Sequence, residues 1–194
     1  EAERFRLELR RGASPIWPQE GFNVPDMLIA PHGGTLVDLL VDEARAEELK
    51  TESLDWPSYD LTPRHLCDIE LLINGGFSPL TGFLGKADYE GVLDEMRLAD
   101  GTLWPMPIML DVDDDTAANL SEGSRLALRD EEGVMIAVLH VSDVWQPDLK
   151  EEALKVFGST NPEHPGVAHL LNSTKPWYVG GRIEAAQAPL HYDF

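Results

Sequence analysis

Two periods govern the apolar positions, helical in the first half of the chain and strand-like in much of the second. Leu36, Leu39, Leu40 and Ala44 recur at i, i+3, i+4 and i+8, which predicts an amphipathic helix over about residues 35–50. A second helix is punctuated at both ends. Thr62 can cap it, Pro63 suits its first position, and Leu66, Ile69, Leu72 and Ile73 share a face before Gly75 and Gly76 end it. A third, short helix is predicted over about residues 88–96. Pro105 and Pro107 then frame an extended entry into a strand at 108–112. Arg-Leu-Ala-Leu-Arg at 125–129 alternates, an acidic turn follows at 130–133, and the β-branched run 134–144 completes a hairpin. A helix at 148–157, stopped by Gly158, and a shorter one at 165–171 precede a final strand at 177–186.

Helices come first and short strands later, without βαβ alternation. That order predicts an α+β domain with a small bent or barrel-like sheet and several flanking helices. Residues 1–27 carry Pro15, Pro18 and Pro25 and little periodicity, so they read as an amino-terminal arm or linker before a domain at 28–194. Arg4, Arg6, Arg10 and Arg11 make this arm the one locally basic stretch.

Charge changes the picture most. Of 194 residues, 15 are Lys or Arg and 35 are Asp or Glu, a formal net charge of −20. Broad nucleic-acid binding and attachment to anionic membranes are disfavoured, because both need a surplus of cations. No apolar run approaches the ~20 residues of a membrane span, and no secretory leader opens the chain, so a cytoplasmic protein is expected. Cys67 is the only cysteine, which excludes an internal disulfide and a Cys-type zinc cluster; it reads as a buried structural thiol. The chain opens on Glu1 and stops at Phe194, just past the last strand, and so reads as part of a longer protein.

The motifs that tempt fail on their own chemistry. Asp111, Asp113, Asp115, Asn119 and Glu122 have nearly the spacing of an EF-hand loop, but Thr116 stands where the sharp turn wants glycine; an acidic surface turn is expected. The run Gly75 to Lys86 lacks the first glycine of a phosphate loop, which would fall at Leu80, and Pro79 removes an N–H donor. His32, His65, His140, His164, His169 and His191 include no i, i+4 pair. Trp17, Trp56, Trp104, Trp145 and Trp177 read as core or interface residues. No catalytic, cofactor-binding or metal-binding residue emerges.

Five blocks in order carry a resemblance: LIAPHGGTLVDLL at 28–40, TPRHLCDIELLINGGFSPLTGFL at 62–84, DYEGVLDEMRLADGTLWPMPIMLDV at 88–112, FGSTNPEHPGV at 157–167 and PWYVGGRIEAAQAPLHYDF at 176–194. Together they resemble the amino-terminal, PUA-like domain of sulfate adenylyltransferase (ATP sulfurylase). The resemblance implies an enzyme that joins ATP and sulfate into adenosine 5′-phosphosulfate and pyrophosphate with Mg²⁺. It also implies that the chemistry lies in a following catalytic domain of the same polypeptide, marked by Q-x-R-N-P-x-H-x-x-H and G-R-D-H. Asn161-Pro162-Glu163-His164 imitates the first signature, yet Gly158, Thr160 and Val167 replace its glutamine, arginine and second histidine. Gly181-Arg182 is followed by Ile183 and Glu184 instead of Asp-His. The segment alone is therefore expected to be inactive, to need no cofactor of its own, and to support the catalytic domain and the subunit contacts of a homo-oligomer. Gly75 to Leu84 is the best candidate for an interface element if its apolar side chains are exposed, and an internal loop if they are not. The alternatives are a free-standing PUA-like RNA-binding module, with a focal patch from Arg125, Arg129 and Arg182, and a protein-interaction module.

Overall fold

The computed structural model describes residues 29–190, and the chain divides into a unit at Glu1–Ala30 and one at Pro31–Phe194. The arm at 1–27, with its arginines and Trp17, lies outside the described residues, as does His191. In the second unit, α1 (Glu43–Glu52) leads through a single 3-10 turn (Ser53–Asp55) to β1 (Ser58–Asp60) and α2 (Pro63–Ile73). Next come β2 (Gly82–Phe83), α3 (Lys86–Glu95), β3 (Leu110–Val112) and α4 (Asp114–Ala118). The hairpin β4 (Arg125–Arg129) and β5 (Met135–Trp145) precedes α5 (Leu149–Phe157), α6 (Pro165–Ser173) and β6 (Trp177–Ala185).

The six strands make one mixed sheet in the order β1-β4-β5-β6-β2, with β3 also on β6, and the sheet does not close into a barrel. Strand β1 runs parallel to β4; all other pairs are antiparallel. One edge of β6 holds β5 along almost its whole length. Its other edge is shared, β3 pairing at Trp177–Val179 and β2 at Gly181 and Arg182. A bulge at Ser142 bends β5 where these strands meet. Glycine is required at this crossing: a Cβ on Gly181 would stand 2.1 Å from the His140 carbonyl oxygen, and one on Gly180 would stand 2.3 Å from that of Leu84.

The main core packs Ile69, Leu72 and Ile73 of α2 against Leu126, Leu128, Ile136, Leu139 and Ile183 of the sheet. On the other face of β5, Met135 and Val138 pack on Leu49 of α1. Strand β5 is thus buried on both faces from Met135 to Leu139, which explains its continuous apolar run. A smaller cluster of Ala153, Val167 and Leu170 joins α5 to α6.

The helix expected at 35–50 begins only at Glu43, after its N-cap Asp42. Residues 39–41 are captured by β6 instead: Ala185 N–H donates to the Leu39 carbonyl, Val41 N–H donates to that of Ala185, and Leu40 bridges Ala185 in parallel. Those backbone bonds displace the helical ones, so Leu36 and Leu40 stay largely exposed. Helix α2 forms where expected, because Thr62 and His65 make a capping box and Pro63 sits in the first turn.

Candidate functional site

Polar chemistry concentrates in three places. At the first, Asp111 on β3 is buried among the apolar residues of that strand. Its Oδ1 accepts from His65 Nε2 at 2.9 Å and Arg64 Nη2 at 2.6 Å, and its Oδ2 accepts from the Lys175 amide at 2.9 Å. Burial alone would raise the Asp111 pKa, but the His65 bond, the Lys175 amide and the Arg64 charge outweigh it and hold the value at about 2. Arg64 also reaches Asp68, and Tyr59 OH donates to the Asp111 carbonyl while accepting from Lys175 Nζ.

His65 beside Asp111 has the look of a catalytic dyad, and its geometry rules that role out. Its Nδ1 accepts from the Thr62 amide, so the hydrogen-bond pattern assigns the ring hydrogen to Nε2, facing Asp111. With 1% of the residue exposed and both nitrogens engaged, it has no route to a substrate proton. The cluster is a tie joining β1, α2, β3 and the turn before β6.

At the second place, Glu152 of α5 is buried, and its Oε2 accepts from both Tyr89 OH at 2.9 Å and Tyr178 OH at 3.0 Å. Desolvation raises the carboxyl's pKa against the pull of the two phenols, and burial beside this carboxylate drives both tyrosines far above their ordinary value. Trp145 packs on both rings.

The third is a concavity of about 600 Å³ between residues 79–85, the start of α3 and the β5–β6 crossing. His140, Ser142, Asp143 and Arg182 line it. His140 Nε2 is 2.7 Å from Glu184 Oε2, and the Ser142 hydroxyl donates to the Asp143 carboxylate, so neither forms a nucleophile–base pair with the other.

The residues singled out in the sequence scatter. Asp111 is buried in the tie instead of lying on a surface turn, while Asp113 caps α4 and Asn119 ends it. This helix, absent from the sequence reading, dismantles the calcium-loop geometry. Among the described residues no group of three or more His, Cys, Asp or Glu side chains is placed to hold a metal ion. Leu80, Phe83 and Leu84 are buried, so the run from Gly75 to Leu84, a loop leading into β2, turns its apolar side chains inward and presents no exposed apolar face. Cys67 is exposed on α2, contrary to the buried thiol expected, because it falls opposite the Ile69 and Leu72 face. Asn161 to His164 form a turn in which His164 caps α6. Arg125 pairs with Glu52 and lies over Trp56, and Arg129 binds the neutral Ser53 hydroxyl and Gly133 carbonyl, so among the described residues Arg129 and Arg182 are the patch's cations without an ion pair. No helix of the described residues is long and apolar enough to cross a membrane.

Comparison with known proteins follows the same outline. Sulfate adenylyltransferase of Saccharomyces cerevisiae is 51% identical over 168 residues, 85% of this chain and 33% of that protein. That of Eremothecium gossypii is 47% identical over 86% of this chain and 33% of the other, and that of Mycosarcoma maydis is 50% identical over 87% and 30%. Among solved structures, a hexameric APS kinase from Thiobacillus denitrificans superposes with a TM-score of 0.68 and 39% identity, over 86% of this chain and 28% of that one. The chain thus spans about a third of the length of the relatives it matches. A family profile described as PUA-like domain matches residues 29–188, almost the whole of the described fold, and the chain belongs to that family.

Proposed function

We propose that this chain is the amino-terminal, non-catalytic portion of a sulfate adenylyltransferase, which makes adenosine 5′-phosphosulfate and pyrophosphate from ATP and sulfate. The observation that carries the reading is the pairing of about 50% identity with coverage of only a third of each relative. The catalytic domain, with its ATP and Mg²⁺, belongs to the remaining two thirds. A domain at 28–194 preceded by an arm supports it, in a cytoplasmic homo-oligomer; the hexameric neighbour favours subunit contacts. Physical chemistry supports the division of labour. Sulfate and ATP are both anions, and bringing them together needs clustered, uncompensated cations. This chain carries −20 overall and directs Arg64, Arg45 and Arg125 to its own carboxylates.

The test is sulfate-dependent exchange of labelled pyrophosphate into ATP, measured on this chain alone and on the chain with its natural continuation. Exchange only in the longer protein is expected. Exchange by the 194 residues alone, or none in either, would overturn the reading.

A further inference from the structure

A cleft of about 230 Å³ opens between α2, residues 106–109, α5 and α6. Apolar walls dominate it, from Met106, Ile108, Val156, Phe157 and Leu170. Glu152, only 5% exposed, lines it together with its donor Tyr178. Both phenolic bonds fall on Oε2, so the carboxylate is held in one orientation, and among the described residues it has no ion pair. The other charged groups in the lining are Arg64 and Asp68, with His169 beside them. Arg64 is already paired with Asp68 and Asp111, so it does not neutralise Glu152 by contact.

An oriented carboxylate without a counter-charge, set in an apolar cleft, selects an organic cation. The charged head takes the carboxylate and the stem covers the walls. The volume lies below the usual range for drug-sized ligands, roughly 300–1,000 Å³, and so fits a small one. We propose that this cleft binds a small free alkylammonium or alkylguanidinium ion, with Glu152 as its counter-ion.

The test is titration of the chain with n-butylammonium followed by NMR, with n-butanol and n-butyrate as neutral and anionic matches of the same length. Butylammonium should shift the resonances of Tyr178, Leu170 and Met106 and saturate with Kd on the order of millimolar. Butanol should bind at least about tenfold more weakly, and butyrate should produce no shift. Glu152→Gln, which keeps an acceptor for both phenols, should weaken butylammonium at least about tenfold. Val156→Trp, at a half-buried position that can fill the cleft, should do the same. Equal affinity for butanol and butylammonium, or undiminished binding by Glu152→Gln, overturns the proposal. If Glu152→Gln fails to fold, undiminished binding by Val156→Trp overturns it. Tighter binding of Nα-acetyl-lysinamide than of butylammonium would overturn the assignment to a free cation in favour of a protein side chain.

Discussion

Replacing Asp111 by asparagine tests whether the interior tie is held by charge. The Asp111 value stands at about 2 against an ordinary 3.8, a difference of nearly two units. By linkage this corresponds to roughly 2–3 kcal/mol of folding stability at neutral pH. The carboxylate is only 8% exposed, so solvent screening takes little of it. Because the folded value is depressed, the contribution is fully present above the unfolded value and is lost as pH falls through the folded one. Urea unfolding followed by tryptophan fluorescence, on wild type and Asp111→Asn at pH 7, 4 and 3, reads the effect directly. A gap of about 2–3 kcal/mol is expected at pH 7, which for a chain of this size is about 5–10 °C in Tm. The gap should change little down to pH 4 and fall to about half by pH 3. A loss below about 0.5 kcal/mol at pH 7, or a gap that does not narrow at pH 3, would refute the charge-based tie.

Gly181→Ala should cost more than about 3 kcal/mol, since its Cβ would meet the His140 carbonyl at 2.1 Å, whereas Gly123→Ala, with open space and φ of 85°, should cost only about 1 kcal/mol; equal losses in thermal unfolding would contradict the crossing described for β6. Glu152 has the opposite sign to Asp111: its raised value means that stability is present at low pH and lost as the buried carboxyl ionises. Glu152→Gln should therefore gain on wild type as pH rises from 4 to 7, and a variant that loses ground over that range would show the ionised form to be the favoured one. Alkaline titration at the phenolate absorbance band should find Tyr89 and Tyr178 silent through the ordinary transition near pH 10, and ionisation of either one there in the folded state would contradict their burial against Glu152.

Legibility in the sequence followed the range of the forces involved. Helix α2 and the β4–β5 hairpin were readable because their caps, turn residues and periodicity act within a few positions and agree with the tertiary packing. The leucines at 36, 39 and 40 carry helical spacing by coincidence, and a strand far along the chain takes the backbone bonds of Leu39 and Val41. Strands β1 and β2, three and two residues long, exist only because β4 and β6 are there to pair with them. The polar tie was hidden because His65 and Asp111 lie 46 positions apart. One signal for it was available: Asp111 interrupts the apolar run from Ile108 to Val112, and an acid in such a run needs a buried partner. Glu152 gave a similar sign, falling with Leu149, Ala153 and Val156 on one helical face.

The position of β6 has a consequence for how the protein comes into being. It is the last element of the described fold, yet β5, β2 and β3 all pair with it, and residues 39–41 are fastened to its end. On a ribosome, everything up to Thr174 emerges before the strand that most of it needs. Until residues 177–185 are free, the hairpin can form but β2 and β3 have no neighbour, and the face that Ile183 covers stays wet. Assembly of this domain therefore waits for its last strand and then closes the long-range pairings together, the slow kind of closure that high sequence separation imposes. Nascent chains stalled before residue 177 would present unpaired strand edges to the cell, and it is in that interval, not in the finished fold, that this domain is most exposed to aggregation.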